Sequence, residues 1–88
     1  MYKYYIERKL KKKLKKISKK DKKFYEIVIN KIEEIIENPS HYKPLRYNLK
    51  ALRRVHVDKS FVIIFEIDEE NEIVRFLDLD HHDRIYKK

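Results

Sequence analysis

Glycine and cysteine are both missing from this chain of 88 residues. Without cysteine there can be no disulfide and no thiolate metal site, which fits an intracellular setting. The absence of glycine, with Lys, Glu and Ile dominant, is a bias also found in proteins from hot environments. Apolar runs are short: none approaches the roughly 20 residues of a membrane span, and the N-terminus lacks the apolar core of a signal peptide. A soluble, cytoplasmic protein is expected. The length predicts a single domain over residues 1–88, burying about two-thirds of its unfolded surface. Apart from one lysine run, no repeat, low-complexity linker or domain boundary interrupts it.

What the chain has in excess is positive charge. Lys and Arg number 23 against 15 Asp and Glu, a formal charge of +8 and a pI of about 9.6. Such a surface attracts polyanions in a salt-sensitive way, and nucleic acid is the first partner to consider, with solubility alone as the plainer reading.

The last third organises the rest. Residues 61–67, Phe-Val-Ile-Ile-Phe-Glu-Ile, have the length and the β-branched and aromatic content of a central strand. Val55-His56-Val57 precedes it across a turn at Asp58–Ser60, and Ile73–Leu77 follows the loop 68–71. The three predict an antiparallel meander. Alternation puts Phe61, Ile63, Phe65 and Ile67 on the face that carries helices, and Val62, Ile64 and Glu66 on the other.

Upstream, Tyr2–Glu7 reads as a first strand, short enough to be an edge. From Arg8 to Lys20, Leu10, Leu14 and Ile17 recur at helical spacing among lysines, a narrow buried stripe on a basic ridge. Lys9, Lys11, Lys12, Lys13, Lys15, Lys16, Lys19 and Lys20 repel one another there, and an anionic partner would relieve them. Ser18 or Asp21 can cap a second helix running to about Glu37. Its stripe of Phe24, Ile27, Val28, Ile32, Ile35 and Ile36 is wider, and Asn38-Pro39 ends it. The connection 40–51 has no clean period and holds His41, Lys43, Arg46 and Lys50. The fold expected is α+β: an N-terminal strand, then an antiparallel helical hairpin packed on one face of a C-terminal antiparallel meander.

Chemistry gathers at the C-terminal end. If Val55 and Val57 face the helices, Arg54 and His56 share the open face with Val62 and Ile64. The tail His81-His82-Asp83-Arg84-Ile85-Tyr86 leaves the third strand near the start of the central one, so the two clusters can converge. Guanidinium, imidazole and phenol suit a phosphate-bearing ligand: Arg grips phosphate oxygens, Tyr stacks on a base, and His moves protons near neutrality. On RNA this set supports attack of a 2′-hydroxyl on the adjacent phosphorus, with no metal and no cofactor required. Plainer readings stand beside it. Tyr86 can cover a sheet edge, Arg84 can pair with Asp80 or Asp83, and Asp78 and Asp80 read as solvated strand positions. A metal site at His81-His82-Asp83 lacks a compact ligand spacing.

From the basic helix to the closing Asp80-His81-His82-Asp83-Arg84-Ile85-Tyr86, the chain resembles the RelE toxins of the RelE/ParE superfamily, the archaeal members in particular. The resemblance implies a RelE-like, microbial-RNase-like fold. It also implies a metal-independent endoribonuclease that cuts mRNA in the ribosomal A site and is restrained by a RelB-like antitoxin in a hetero-oligomer. It assigns phosphate contacts to Arg54 and His56, the general acid to His82, base stacking to Tyr86 and a neighbouring cation to Arg84. Arg46, Arg53 and His81 join the lysine ridge as candidate contacts to RNA or the ribosome. Two positions depart from the pattern. Val62 stands where the toxins carry an arginine on the central strand, and Asp80 stands where a glycine opens the terminal motif. A ParE-like inhibitor of DNA gyrase and a non-catalytic RNA-binding module are the alternatives.

Overall fold

The computed structural model describes residues 2–42 and 52–86, with the backbone alone at 85 and 86. Strand β1 (Lys3–Ile6) is followed by helices α1 (Arg8–Lys20) and α2 (Lys22–Glu37) and a 3-10 turn at Pro39–His41. Strands β2 (Leu52–Val57), β3 (Phe61–Asp68) and β4 (Ile73–His81) come next, and helix α3 (His82–Tyr86) closes the chain. The connection carrying Arg46 lies outside the described residues.

A single residue separates the two long helices. The Asp21 N–H donates to Ile17 O at 2.8 Å, ending α1, while its carboxylate accepts from the Phe24 N–H at 3.0 Å, starting α2. That satisfies one free amide at the start of α2 and leaves the chain no room to do anything but reverse. Ser18, the other candidate cap, instead donates to Lys15 O within α1. At the far end α2 stops at Asn38 before Pro39, as the proline requires.

The sheet has four strands in the order β1-β4-β3-β2. The meander β2-β3-β4 is antiparallel as the sequence suggests, and β1 joins it as an edge strand parallel to β4, pairing Lys3 with Ile73 and Ile6 with Phe76. The connection between those two parallel neighbours runs through both helices and then β2 and β3. Strand β4 runs on to His81, well beyond β1, so its second half is an open edge that α1 passes alongside.

Val55 pairs with Ile63 and Val57 with Phe61, which fixes one face of β2 and β3 toward the helices. On β4 a bulge opposite Ile64/Phe65 inserts Leu77, so Val74, Phe76 and Leu79 all point inward although they break strict alternation. These residues meet Leu10 and Leu14 of α1 and Val28, Ile32 and Ile35 of α2 in one core. Phe65 and Phe76 are fully buried at its centre with ring centroids 5.8 Å apart. Each such side chain contributes about 1.5–3 kcal/mol by leaving water. The stripe read for α2 is one residue too wide: Ile27 is 36% exposed.

With no glycine available, two turn positions among the described residues that take a left-handed backbone fall to other residues. Asp58, in the β2–β3 turn, has φ 57°, and Glu72, before β4, has φ 54°. Among the described residues no helix is long and apolar enough to cross a membrane.

Candidate active site

The face of the sheet away from α1 and α2 carries Arg54 and His56, two of the candidate residues. Alternation on β2 sends Arg54 and His56 there, where their register partners on β3 are Ile64 and Val62. Val62 in turn stands opposite Asp80 on β4, so His56, Val62 and Asp80 form a row across three strands. Val62 is completely buried yet belongs to no part of the main core. Helix α3 packs against both β3 and β4.

The tail does not leave β4 as an extended segment. The His82 N–H donates to Ser60 O at 2.6 Å, and from there the chain turns into a short helix folded back on the open face. This sets the His82 ring on the His56 ring, centroids 5.5 Å apart and planes 26° from parallel, a stacked pair. His56 is exposed and His82 half-buried, so the pair is reachable from solvent. Asp83 sits beside both histidines of the tail, its Oδ1 3.6 Å from His82 Nδ1 and its Oδ2 3.9 Å from His81 Nδ1. The arrangement offers two groups able to take and give a proton, one guanidinium on the neighbouring position of β2, and a carboxylate behind the tail imidazoles.

Other candidates fall elsewhere. Arg53 and His81 occupy the helix side of the sheet: the Arg53 Nε–H donates to Tyr42 O at 3.3 Å, and His81 lies against the edge of Phe61 with centroids 5.5 Å apart. Arg84 is exposed on α3, its Nη1 3.8 Å from Asp80 Oδ1, and it lines a groove facing α1. Tyr86 ends α3, and its side chain lies outside the described residues, as does Arg46.

On α1 the lysines divide into two sets. Lys11, Lys12, Lys15, Lys16, Lys19 and Lys20 are exposed. Lys13 is held by Asp78 Oδ1 at 2.8 Å, Leu79 O at 3.0 Å and Asp80 Oδ2 at 3.5 Å, and Lys9 reaches Asp78 Oδ2 at 3.2 Å. Asp78 and Asp80 are therefore not the solvated strand positions that alternation suggests. They lie on the stretch of β4 that β1 is too short to cover, where α1 passes close enough for its lysines to satisfy both the carboxylates and an edge carbonyl. Burial alone would push the Asp78 carboxyl up, but the Lys13 ammonium, the Leu79 N–H and Lys9 outweigh it and hold it below the usual carboxylate range. The sequence carried no signal for this network: read as strands, Tyr2–Glu7 and Ile73–Leu77 are of nearly equal length, and the overhang of β4 past β1 shows only in the structure. Among the described residues no group of three or more His, Asp or Glu comes together as a metal site.

Comparison with known proteins places this geometry. Residues 4–86 match the family described as the ParE toxin of the type II toxin-antitoxin system, parDE. A Methanocaldococcus jannaschii protein named "Putative toxin RelE4" is 53% identical over 88 residues, covering 100% of this chain and 94% of that protein. The chain belongs to the RelE/ParE superfamily of type II toxins. An uncharacterized protein of Methanosarcina mazei is 49% identical, with 98% of this chain and 100% of that one covered. Among solved structures, a chain of the intact E. coli RelBE toxin-antitoxin complex superposes with a TM-score of 0.75 at 17% identity, covering 92% of this chain and 96% of its own. A chain of the archaeal RelE-RelB complex from Pyrococcus horikoshii OT3 gives 0.69 at 15% identity, covering 94% and 97%. At those identities the likeness is one of fold, and it is the RelE-like fold that the sequence suggested.

Proposed function

We propose that this toxin is a ribosome-dependent, metal-independent endoribonuclease that cuts mRNA in the A site and so stops translation. The observation that carries the reading is the His56–His82 stack beside Arg54 on an open sheet face. One imidazole takes the proton of a ribose 2′-hydroxyl. The 2′-oxygen then bonds to the adjacent phosphorus, the bond from phosphorus to the 5′-oxygen breaks, and the other ring, entering as imidazolium, protonates that leaving oxygen. The products are a 2′,3′-cyclic phosphate and a 5′-hydroxyl, and the proton count closes with the two rings exchanging states. Arg54 stabilises the charge that builds on the phosphoryl oxygens, as a preorganised cation does best. Tyr86 stacks on a neighbouring base, and Arg84, on the α1 side of α3, adds a cation to the RNA path beyond the cleavage site.

The exposed lysines of α1 bring the toxin to ribosomal RNA, a role in which position matters less than charge. Several of the solved relatives are toxin-antitoxin complexes, which supports a RelB-like antitoxin as partner. A protein of charge +8 suits an acidic chain wrapped over it in a cytoplasmic hetero-oligomer.

The test is cleavage of mRNA on programmed ribosomes, with 5′-ends mapped, by the wild type and by His56→Ala, His82→Ala and Arg54→Ala. Loss of cut ends by a hundredfold or more in each folded variant is expected, since a positioned acid or base contributes about 10²–10⁴. Absence of new 5′-ends with the wild type, or inhibition of DNA supercoiling in its place, overturns the reading.

A further inference from the structure

On the α1 side of α3, around the end of β3 and β4 from the histidine pair, lies a groove of about 360 Å³. Its floor is aromatic: Phe24 from the first turn of α2 and Phe61 from the start of β3 are both half-buried, with ring centroids 4.7 Å apart. Its rim is cationic, with Lys16 and Lys20 on one wall and Arg84 on the other. Two carboxylates, Asp21 and Asp80, also line it. The volume lies at the low end of the range for small-ligand sites, and is too small for a helix some 10–12 Å across with its side chains.

We propose that this groove binds one unpaired ribonucleotide, its base on the Phe24/Phe61 platform and its phosphates on Lys16, Lys20 and Arg84. The inference rests on the RNA-cleaving reading and adds to it a second point of contact outside the cleavage site. Aromatic faces stack on any base, and flexible ammonium groups follow a phosphate without demanding one geometry, so the platform grips single strands and not duplexes. The carboxylates of Asp21 and Asp80 accept hydrogen bonds from an exocyclic amino group of cytosine, adenine or guanine and equally from the N3–H of uracil, so the platform takes any base. Arg84 links the two places. It projects into the groove from the same short helix that holds His82 on His56, so a nucleotide in the groove braces α3 in its docked position.

The probes are fluorescein-labelled single-stranded pentamers of A, C and U, titrated by anisotropy into the intact toxin. Phe24→Leu keeps an apolar floor but removes stacking, and a drop in affinity of about tenfold is expected, with Phe24→Tyr within twofold of wild type. Lys16→Glu, an exposed position that leaves the core alone, weakens binding of all pentamers and lowers the salt slope by about 0.7. A photo-crosslinker in place of Phe24 on programmed ribosomes then names the source, by an adduct on mRNA or on ribosomal RNA. Wild-type affinity in both Phe24→Leu and Lys16→Glu overturns the proposal, as does an adduct on protein alone or none at all. The two readings fail separately. Cleavage that depends on His56 and His82 while groove variants bind RNA normally removes only the groove; groove-dependent binding without cleavage removes only the nuclease.

Discussion

Val62 and Asp80 face each other directly across the β3–β4 ladder, a fully buried valine against a carboxylate shared by two cations. Both are the positions at which the chain departs from the RelE pattern, and register makes them one departure, not two. Valine in place of a strand arginine makes this position of the ladder apolar and fully buried. Asp80 reaches Arg84 on α3 and Lys13 on α1, so it ties that helix to the rest of the protein from the edge.

Neutralising Asp80 tests the tie. In Asp80→Asn the Arg84 guanidinium loses its partner at 3.8 Å and is released toward solvent and any phosphate present. Exposed ion pairs are worth about 0.2–1 kcal/mol, so RNA affinity measured by anisotropy with the pentamer of A should rise by roughly two- to fivefold. Amides of α3 should at the same time exchange faster with deuterium. Unchanged exchange would mean that Asp80 holds nothing.

Acid should loosen the α1–β4 seam. The Asp78 carboxyl is held below its ordinary range, net of a burial contribution of the opposite sign, by Lys13, the Leu79 N–H and Lys9. A carboxyl whose pKa is lower folded than unfolded adds stability above its unfolded value of about 3.9, and loses it as pH falls through the depressed folded value. Thermal melts of wild type and Asp78→Asn should therefore differ at neutral pH, by about 1 kcal/mol once solvent screening of the pair is allowed for. The two curves should converge below pH 4. A gap that persists into strong acid would place the effect in packing and not in charge.

The parts of this architecture carried by local chemistry could be read from the residues in advance. Leu10 and Leu14 at helical spacing, Asp21 as a cap and Pro39 as a stop define the hairpin, and the alternation of Arg54-Val55-His56-Val57 put Arg54 and His56 on the open face. What escaped was set by partners distant in sequence. The parallel pairing of β1 with β4 depends on where α1 delivers the chain, not on Lys3–Ile6 themselves. The bulge at Leu77 shifts the phase of β4 by one residue, and the short segment 82–86 has too few residues to show a period. Ile27 shows the limit of counting apolar residues: the α2 stripe contained more of them than the sheet could cover.

The glycine-free turns hold recoverable stability. Glu72 sits at φ 54° with its carbonyl accepting from the Lys3 N–H at 2.9 Å, so the strained conformation is fixed by β1. A left-handed backbone costs most residues about 1–2 kcal/mol, and asparagine much less. Glu72→Asn is expected to raise stability by about 0.5–1 kcal/mol in urea unfolding. Asp58→Asn, at φ 57°, should change little, because aspartate already tolerates that region. Equal gains at both sites would argue that helix or sheet propensity, not turn strain, is at issue.

Restoring the family's strand arginine should fail. In Val62→Arg the new guanidinium would enter a site with no solvent exposure, between His56 and Asp80. Asp80 is the one carboxylate directly opposite, and it is already drawn toward Lys13 and Arg84. An incompletely paired buried charge costs about 3–5 kcal/mol, so the substitution should either lower the melting temperature by ten degrees or more or push α3 off the sheet. Hydrogen exchange separates the two: undocking strips protection from α3 alone, while global loss strips it from β3 and β4 as well. If α3 undocks, the His56–His82 stack goes with it, and cleavage should fall even though an arginine has been added to the site. A Val62→Arg protein that is stable, keeps α3 protected and cuts RNA faster would show that Asp80 can serve the strand arginine directly.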